Sequence, residues 1–285
     1  MKKFGLKWGS LIVGAGLLLA GCSGGDKAGS GDKADGGDKG EKTEITVGAS
    51  NTPHAEILEF AKPILEKDSI DLKIVTYNDY VIPNVALSEG DIDANYFQHI
   101  PFFEEAVAEN DYDFVNLGSI HLEPMGAYSK RYKSLKDLPD KAKILCSNSV
   151  TDHGRVISIL QEAGLIKVKE GVDLTTANFD DIAENPKNLE FDYEYEPALM
   201  PTLLDQDEGD VVFINSNFAV DHDIDPLKDS IALESTHSPD ANIVTARSED
   251  KDNKALKKLV EVLKSDEVAK FIKEKWNGAV LPIQE

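Results

Sequence analysis

The chain has 285 residues, and 30 Lys and Arg against 52 Asp and Glu give it a formal net charge of −22. Hydrophobic residues at 41% and charged residues at 29% are typical of a globular protein, and the length suffices for about two domains. The acidic balance disfavours binding to nucleic acid and electrostatic docking on anionic lipid, which both need clustered Lys and Arg. Because one of the two cysteines lies in the leader, we expect no intramolecular disulfide.

Residues 1–21 have the pattern of a signal peptide, in which three lysines precede a short apolar stretch. That stretch is shorter than the about 20 residues that a helix needs to span a bilayer. The sequence Leu-Ala-Gly-Cys at 19–22 resembles the bacterial lipobox, in which the cysteine is acylated and cleavage occurs just before it. We therefore expect lipid on Cys22 to hold the protein at the extracytoplasmic face of the cell membrane. The alternative is an ordinary signal peptide whose cysteine is incidental.

Residues 22–43 contain Gly-Asp-Lys three times and no apolar side chain larger than Ala until the segment ends. Such a segment cannot offset the entropy of ordering, so we expect a flexible linker.

The rest of the chain alternates predicted strands with predicted helices. The predicted strands are 45–48, 72–75, 92–96, 114–120, 143–146, 189–195 and 210–214. The predicted helices are one that begins at Pro53 and is kinked or shortened by Pro63, then 81–88, 151–163, 256–263 and 268–276. This alternation predicts an α/β fold with mostly parallel sheets.

The pattern starts again at Lys143, which predicts two α/β lobes. We assign 44–125 and 239–285 to lobe 1 and 126–238 to lobe 2, with crossovers near 125–128 and 231–238. Ligands of such sheets bind beyond the carboxyl ends of the strands, so the expected site is the cleft between the lobes.

Catalytic motifs are scarce in this chain. It has no Gly-x-Ser-x-Gly elbow, no phosphate-binding Gly-rich loop and no His-Glu-x-x-His, so we expect neither an enzyme nor a cofactor. Cys146 ends an apolar strand and is expected to be a small buried hydrophobe. His121 and Glu123 could place two metal ligands on one face of a strand with His99 as a third, but a hydrogen-bonded polar cluster explains them as well, and we assign no metal site.

Arg155 lies in or near the first turn of the predicted helix 151–163, where a cation opposes the helix dipole. One interpretation is an ion pair with Asp152 or with a carboxylate of the other lobe. The other is that Arg155 and the helix N–H groups receive an anionic ligand group such as a carboxylate. The spacing does not decide between them.

Aromatic residues follow the second and third predicted strands, and Tyr80 and Tyr96 lie at strand-to-helix junctions. Aromatic walls favour an apolar side chain, and a thioether gains about 0.3–1.5 kcal/mol per sulfur–aromatic contact. An apolar pocket combined with an arginine would suit a zwitterionic amino acid.

Several stretches resemble the methionine-binding lipoproteins of ABC importers, the NlpA lipoprotein family, in order and spacing from about Ile45 to the C-terminus. They are Asn-Asp-Tyr-Val-Ile-Pro-Asn at 78–84, Gly-Asp-Ile-Asp-Ala-Asn-Tyr-Phe-Gln-His at 90–99, Tyr-Ser-Lys at 128–130, Gly-Leu-Ile-Lys at 164–167, Glu-Asn-Pro-Lys-Asn-Leu at 184–189 and Ser-Asp-Glu-Val at 265–268. The resemblance implies a two-lobed periplasmic-binding-protein-like (type II) fold. It also implies a monomer that captures methionine or a related amino acid for a membrane permease driven by a cytoplasmic ATPase.

The resemblance also implies the ligand contacts. Arg155 would bind the ligand carboxylate, while Asn215 and Asn242 would hold the amino-acid backbone. The remaining expected contacts are Tyr80, Tyr96, Phe97 and His99, which would line the side-chain pocket, and Asn148 in the loop before the second-lobe helix.

The chain departs from the family pattern around this expected site. Both prolines of the family's Pro-Asn-Asp-Pro-Thr-Asn loop are absent at 147–152, and its second Asn is Asp152. Asp240 stands where a tyrosine is common, and Leu-Met-Pro-Thr at 199–202 replaces Gln-Leu-Pro-Arg. An added carboxylate would favour a positively charged ligand group.

These departures keep other functions open. A different amino acid or a short methionine-containing peptide could be the ligand. A metal-ion-binding lipoprotein that uses His99, His121 and Glu123, or a surface adhesin or immune-active lipoprotein with a vestigial cleft, are the further alternatives.

Overall fold

The computed structural model describes residues 42–235 and 239–283, which belong to one compact unit. The predicted signal peptide, the lipidation site Cys22 and the linker up to residue 41 lie outside the described residues. No helix in the described part of the chain is both long enough and apolar enough to cross a bilayer.

A first sheet of six strands is built from the two ends of the described chain. Its strands are β1 (Thr43–Ser50), β2 (Ile70–Tyr77), β3 (Ala94–His99), β4 (Phe114–Leu122), β12 (Ala241–Arg247) and β13 (Leu281–Pro282), in the order β13-β4-β12-β3-β1-β2. The helices of this part are α1 (Glu56–Leu65), α2 (Ile82–Glu89), α3 (Ile100–Asn110), α8 (Lys254–Leu263) and α9 (Asp266–Trp276). Strand β1 begins at Thr43, which the sequence had assigned to the linker.

A second sheet of five strands is built from the middle of the chain. Its strands are β5 (Gly126–Tyr128), β6 (Lys143–Ser147), β9 (Glu190–Tyr195), β10 (Val211–Ile214) and β11 (Ala232–Leu233), in the order β11-β5-β10-β6-β9. Its helices are α4 (Val150–Glu162), α5 (Met200–Asp205), α6 (Ser216–Asp221) and α7 (Pro226–Asp229), and β7 (Lys167–Val168) pairs with β8 (Ile182–Glu184) beside it.

Both sheets are mixed, so the expectation of mostly parallel sheets is wrong. β1 runs parallel to β2 and β3, and β6 runs parallel to β9 and β10. β12 is antiparallel to β3 and β4, and β5 is antiparallel to β10 and β11. The antiparallel pairs contain the strands that precede and follow the two connections between the sheets. These strands are β4 and β12 in the first sheet and β5 and β11 in the second.

The chain passes between the sheets twice, at 123–125 and at 234–240, of which 236–238 lie outside the described residues. The crossovers predicted near 125–128 and 231–238 included residues that the structure places in β5 and β11. Each sheet has its own apolar core: Val47 of β1 packs with Leu58 of α1 in the first, and Ile144 of β6 packs with Ile157 of α4 in the second. Pro63 lies inside α1, which ends two residues later.

The carboxyl ends of the parallel strands bring polar residues to one place. His99 ends β3 and caps α3, where its Nδ1 accepts a hydrogen bond from the Phe102 N–H at 3.2 Å. In the second sheet, Asn215 follows β10 at the N-terminus of α6. Strand ends from both sheets therefore face each other, which is where ligands bind in α/β sheets.

Candidate functional site

A small cavity of about 20 Å³ lies between the two sheets, beyond the carboxyl ends of the strands, where α/β sheets bind ligands. Its lining has an aromatic side and a polar side. The lining residues are His54, Tyr80, Phe97, Gln98, His99, Phe102, Glu123, Ser149, Asp152, Arg155, Asn215, Ser216, Asn217 and Asn242.

The aromatic side consists of three rings that contact one another. The centroid of Tyr80 lies 6.1 Å from that of Phe97 and 5.8 Å from that of Phe102, and the two phenylalanine centroids are 6.0 Å apart. Phe218 of α6 packs behind Tyr80, with the two ring centroids 5.1 Å apart. These rings form an apolar wall with no charged group of its own.

Tyr80 also joins the two halves of the molecule. Its hydroxyl donates a hydrogen bond to Oδ1 of Asn217, at 2.7 Å across the cleft. Burial raises the pKa of Tyr80 well above its usual value, so the hydroxyl keeps its proton.

Asp152, in the first turn of α4, is an almost fully buried carboxylate in the polar side. It accepts hydrogen bonds from Ser147 Oγ at 2.9 Å and from Asn215 Nδ2 at 3.0 and 3.1 Å. Burial opposes its ionisation, but the nearby imidazole of His99, whose Nε2 lies 3.8 Å from Oδ1, and the charge of Arg155 outweigh burial and lower the pKa of Asp152. The cavity wall therefore contains a negative charge at neutral pH.

The guanidinium of Arg155 is already paired inside the protein. Its Nε lies 3.1 Å from both carboxylate oxygens of Glu234, and its Nη2 donates to the Glu123 carbonyl oxygen at 2.8 Å. Nε is also 3.6 Å from Asp240, and Nη1 is 3.5 Å from Asp152. Burial would lower the pKa of Arg155, but the charge and hydrogen bonds of Glu234 outweigh that effect and raise it.

Of the two interpretations that the sequence left open, the structure confirms the ion pair. The partners of Arg155 include the helix neighbour Asp152 and carboxylates of the returning crossover. Its Nη1 lies 3.5 Å from Asp152, and the residue lines the cavity.

A second buried polar group lies behind the cavity wall in the first sheet. His121 Nε2 lies 2.6 Å from Glu123 Oε1, and His121 Nδ1 is hydrogen-bonded to the Tyr96 hydroxyl. His54 Nε2 is 2.9 Å from Asn242 Oδ1 and 3.3 Å from Glu123 Oε1. Burial lowers the pKa of His54 to about 4 and that of His121 to about 3, so both imidazoles are neutral at pH 7.

The tautomer of His54 sets the orientation of Asn242. An amide oxygen only accepts, so His54 Nε2–H must be the donor to Asn242 Oδ1. Asn242 also lines the cavity.

The structure brings together most of the residues that the sequence singled out. Tyr80, Phe97, His99, Arg155, Asn215 and Asn242 line the cavity. Asn148 is exposed and lines a neighbouring outer cavity of about 540 Å³, which shares Tyr80, Phe102 and Ser149 with the inner one. Tyr96 is fully buried, does not line either cavity and contacts His121 instead.

Eight lining residues were not among the predicted contacts, and for three of them the reason can be identified. His54 and Asn217 each follow a strand that points at the cleft, so the rule of strand ends could have found them. The sequence suggested Glu123 only as a metal ligand. Its carboxylate reaches the cavity because residues 123–125 form the connection between the sheets.

Comparison with known proteins places these features in a family. The NlpA lipoprotein family matches residues 45–284. The methionine-binding lipoprotein MetQ of Bacillus subtilis (strain 168) is 45% identical over 278 residues, which cover 96% of this chain and 97% of that protein.

Two solved structures are similar over nearly their whole length. A lipoprotein of the YaeC family and pheromone cOB1 precursor from Enterococcus faecalis is 60% identical, with a TM-score of 0.83 over 85% of this chain and 100% of that one. A nutrient binding protein from Burkholderia cenocepacia bound to methionine is 40% identical, with a TM-score of 0.79 over 84% of this chain and 99% of that one. The resemblance recognised in the sequence is thereby confirmed, and the chain belongs to the NlpA lipoprotein family, with its two-lobed periplasmic-binding-protein fold.

Proposed function

We propose that this protein captures methionine in the cleft between its two lobes and delivers it to the permease of an ABC importer. The observation that carries the proposal is one cavity with an aromatic side and a zwitterion-compatible polar side. The methionine-bound structure of a relative from Burkholderia cenocepacia supports the choice of ligand.

The aromatic side suits a thioether. Tyr80, Phe97 and Phe102 can surround one unbranched side chain, and each sulfur–ring contact adds about 0.3–1.5 kcal/mol. The polar side offers both signs of charge: Arg155 Nη1 and Asn242 Nδ2 for the carboxylate, and the ionised Asp152 for the ammonium group.

A short methionine-containing peptide is the second candidate. The observation that favours it is the outer cavity, which continues the inner one past Tyr80 and Ser149. A dipeptide separates its ammonium from its carboxylate, and the outer space together with Asp152 could accept the extra residue.

The lobe boundaries remain proposals that the two sheets support. Residues 44–125 and 239–285 would form lobe 1 and 126–238 lobe 2, in agreement with the strand membership of each sheet. Closure of the lobes on the ligand would be a hinge motion at 123–125 and 234–240. The relatives are named lipoproteins; we propose lipid on Cys22, an extracytoplasmic location, a monomeric state and no enzymatic activity.

Isothermal titration of the full chain in detergent with L-methionine tests the proposal. We expect one binding site per chain and a rise in melting temperature with ligand. Glutamate is the control, because its second carboxylate would meet the aromatic wall and the acidic cluster. Absence of heat and of thermal stabilisation at millimolar methionine would overturn the proposal. Titration with a methionine-containing dipeptide decides between the two candidates by relative affinity.

A further inference from the structure

His54, His121 and Glu123 converge beneath the polar side of the cavity. One nitrogen or oxygen atom of each residue lies within 4.8 Å of the others, and all three side chains are buried. Residues 54 and 121 come from different parts of the chain, after β1 and near the end of β4, so the fold and not local sequence brings them together.

We propose that His54, His121 and Glu123 bind a first-row transition-metal ion such as Zn²⁺. Two imidazole nitrogens and one carboxylate oxygen are a donor set that zinc takes in sites that leave a coordination position open. Asn242 Oδ1, at 2.9 Å from His54 Nε2, is a further oxygen beside this set. His54 and Glu123 also line the ligand cavity, so an open position would face the bound solute.

The distances are close to those that a tetrahedral ion needs. Bonds of about 2.0–2.2 Å place neighbouring ligand atoms roughly 3.3 Å apart. His54 Nε2 and Glu123 Oε1 already lie 3.3 Å apart, while His121 Nε2 and Glu123 Oε1 are at 2.6 Å. The second pair has to open by less than about 1 Å when an ion replaces the hydrogen bond, and the ligand atoms of the two histidines lie within 4.8 Å of each other.

The surroundings of His121 are those of a held metal ligand. Metal-binding histidines as a rule donate their second N–H to a protein group, which fixes the ring. On metal binding the proton of His121 would move from Nε2 to Nδ1, where the Tyr96 oxygen can accept it.

A hydrogen-bonded cluster without metal is the competing explanation, and the titrations below separate the two. The carboxylates of Asp152, Glu234 and Asp240 lie around the guanidinium of Arg155. A divalent cation at Glu123 would add positive charge beside them, on the side of the cavity where we propose that the ligand carboxylate binds.

His99, which the sequence suggested as the third ligand, has a different role. Its Nδ1 caps α3, and its Nε2 points toward Asp152 at 3.8 Å. His54 takes the place that the sequence assigned to His99.

The test uses the full chain without a histidine tag, purified in detergent and stripped of metal with a chelator. Titration with Zn²⁺ should show one site, and Co²⁺ should give the visible absorption of a four- or five-coordinate ion. His121→Ala and Glu123→Gln should each weaken Zn²⁺ binding at least about 100-fold, since each removes one of three protein ligands. His222→Ala, at an exposed histidine of the second lobe, should leave it unchanged.

Tyr96→Phe separates a metal ligand set from a merely polar cluster. The ring is kept and only the hydroxyl that holds His121 is lost, so Zn²⁺ affinity should fall about 10–100-fold. Failure of the wild-type chain to bind Zn²⁺ and Co²⁺, or equal binding by His121→Ala, would overturn the proposal. Because these titrations contain no methionine, their failure would leave the proposed methionine capture untouched.

Discussion

The Nε atom of Arg155 lies 3.1 Å from both oxygens of the Glu234 carboxylate, 79 residues further along the chain. Arg155 belongs to the second lobe, and Glu234 lies on the connection that returns to the first. The pair therefore links the ligand cavity to one of the two segments at which the lobes are expected to move.

Arg155→Ala should destabilise the protein strongly. The change removes the guanidinium from among the buried carboxylates of Asp152, Glu234 and Asp240, and breaking a buried ion pair costs about 3–5 kcal/mol. Urea unfolding measures the loss. The control is Arg131→Ala, a surface arginine paired with Asp207 and Asp210, for which we expect a change below about 1 kcal/mol. Equal losses in the two variants would contradict the special role of the buried pair.

Asp152→Asn should weaken methionine binding about 10–100-fold. An amide oxygen in the position of Oδ2 can still accept the hydrogen bonds of Ser147 and Asn215, but the ligand ammonium loses a charged acceptor worth about 1.5–3 kcal/mol. Isothermal titration measures the affinity, and Asp173→Asn on the surface is the matched control. Unchanged affinity would mean that the ammonium group of the ligand does not bind Asp152.

Tyr80 and Asn217 should be coupled energetically in the ligand-bound form. Their hydrogen bond of 2.7 Å crosses the cleft, and a hydrogen bond contributes about 0.5–1.5 kcal/mol. Methionine affinities of Tyr80→Phe, Asn217→Ala and the double variant form a cycle that isolates this contribution. Additive effects would mean that the bond does not hold the lobes together when ligand is bound.

Methionine should bind more tightly than norleucine, in which a methylene replaces the sulfur. Each sulfur–aromatic contact adds about 0.3–1.5 kcal/mol, which corresponds to a preference of up to about tenfold per ring. Phe102→Leu keeps the wall apolar but removes one of its three rings. The preference measured by titration should shrink in that variant, and an undiminished preference would place the sulfur elsewhere.

His153 should make the folded protein less stable as the pH falls below about 6.5. Burial lowers the pKa of His153, so below its unfolded value the unfolded chain binds the extra proton and the folded chain does not. The stabilising contribution is therefore complete above pH 6.5 and is lost as the pH falls toward the lowered pKa. Unfolding free energies of wild type and His153→Gln between pH 7 and pH 5 should converge, and parallel curves would contradict the expectation.

The sequence predicted the strands with strong apolar patterns and missed others for physical reasons. β1, β2, β4 and β6 were all placed within a few residues. β12 was not predicted, because polar residues interrupt its apolar pattern, although they are buried and hydrogen-bonded in the structure. Thr245 Oγ1, for example, accepts a hydrogen bond from Gln98 Nε2 at 3.2 Å. Helix α3 was also missed, since none of its residues is fully buried and its apolar periodicity is weak.

The candidate site was located by topology, but its contacts were beyond local reasoning. Strand ends indicated the cleft, and aromatic residues at those ends indicated its apolar wall. The decisive pairs join residues 79 to 188 positions apart, such as Arg155 with Glu234 and His54 with Asn242. No spacing rule predicts which carboxylate meets which cation over such separations, so the neutralisation of Arg155 could be found only in three dimensions.

The central position of β12 has a consequence for the order in which the molecule is assembled. Residues 241–247 lie between β3 and β4, and Asn242 is in register with both His99 and His121. The first lobe therefore cannot complete its sheet until nearly the whole chain has been synthesised. The pairing of β12 with β3 and β4 joins residues far apart in the sequence, and such pairings form slowly. Until residues 241–247 join the sheet, β3 and β4 have no strand between them, so the two N-terminal pieces of the first sheet remain separate.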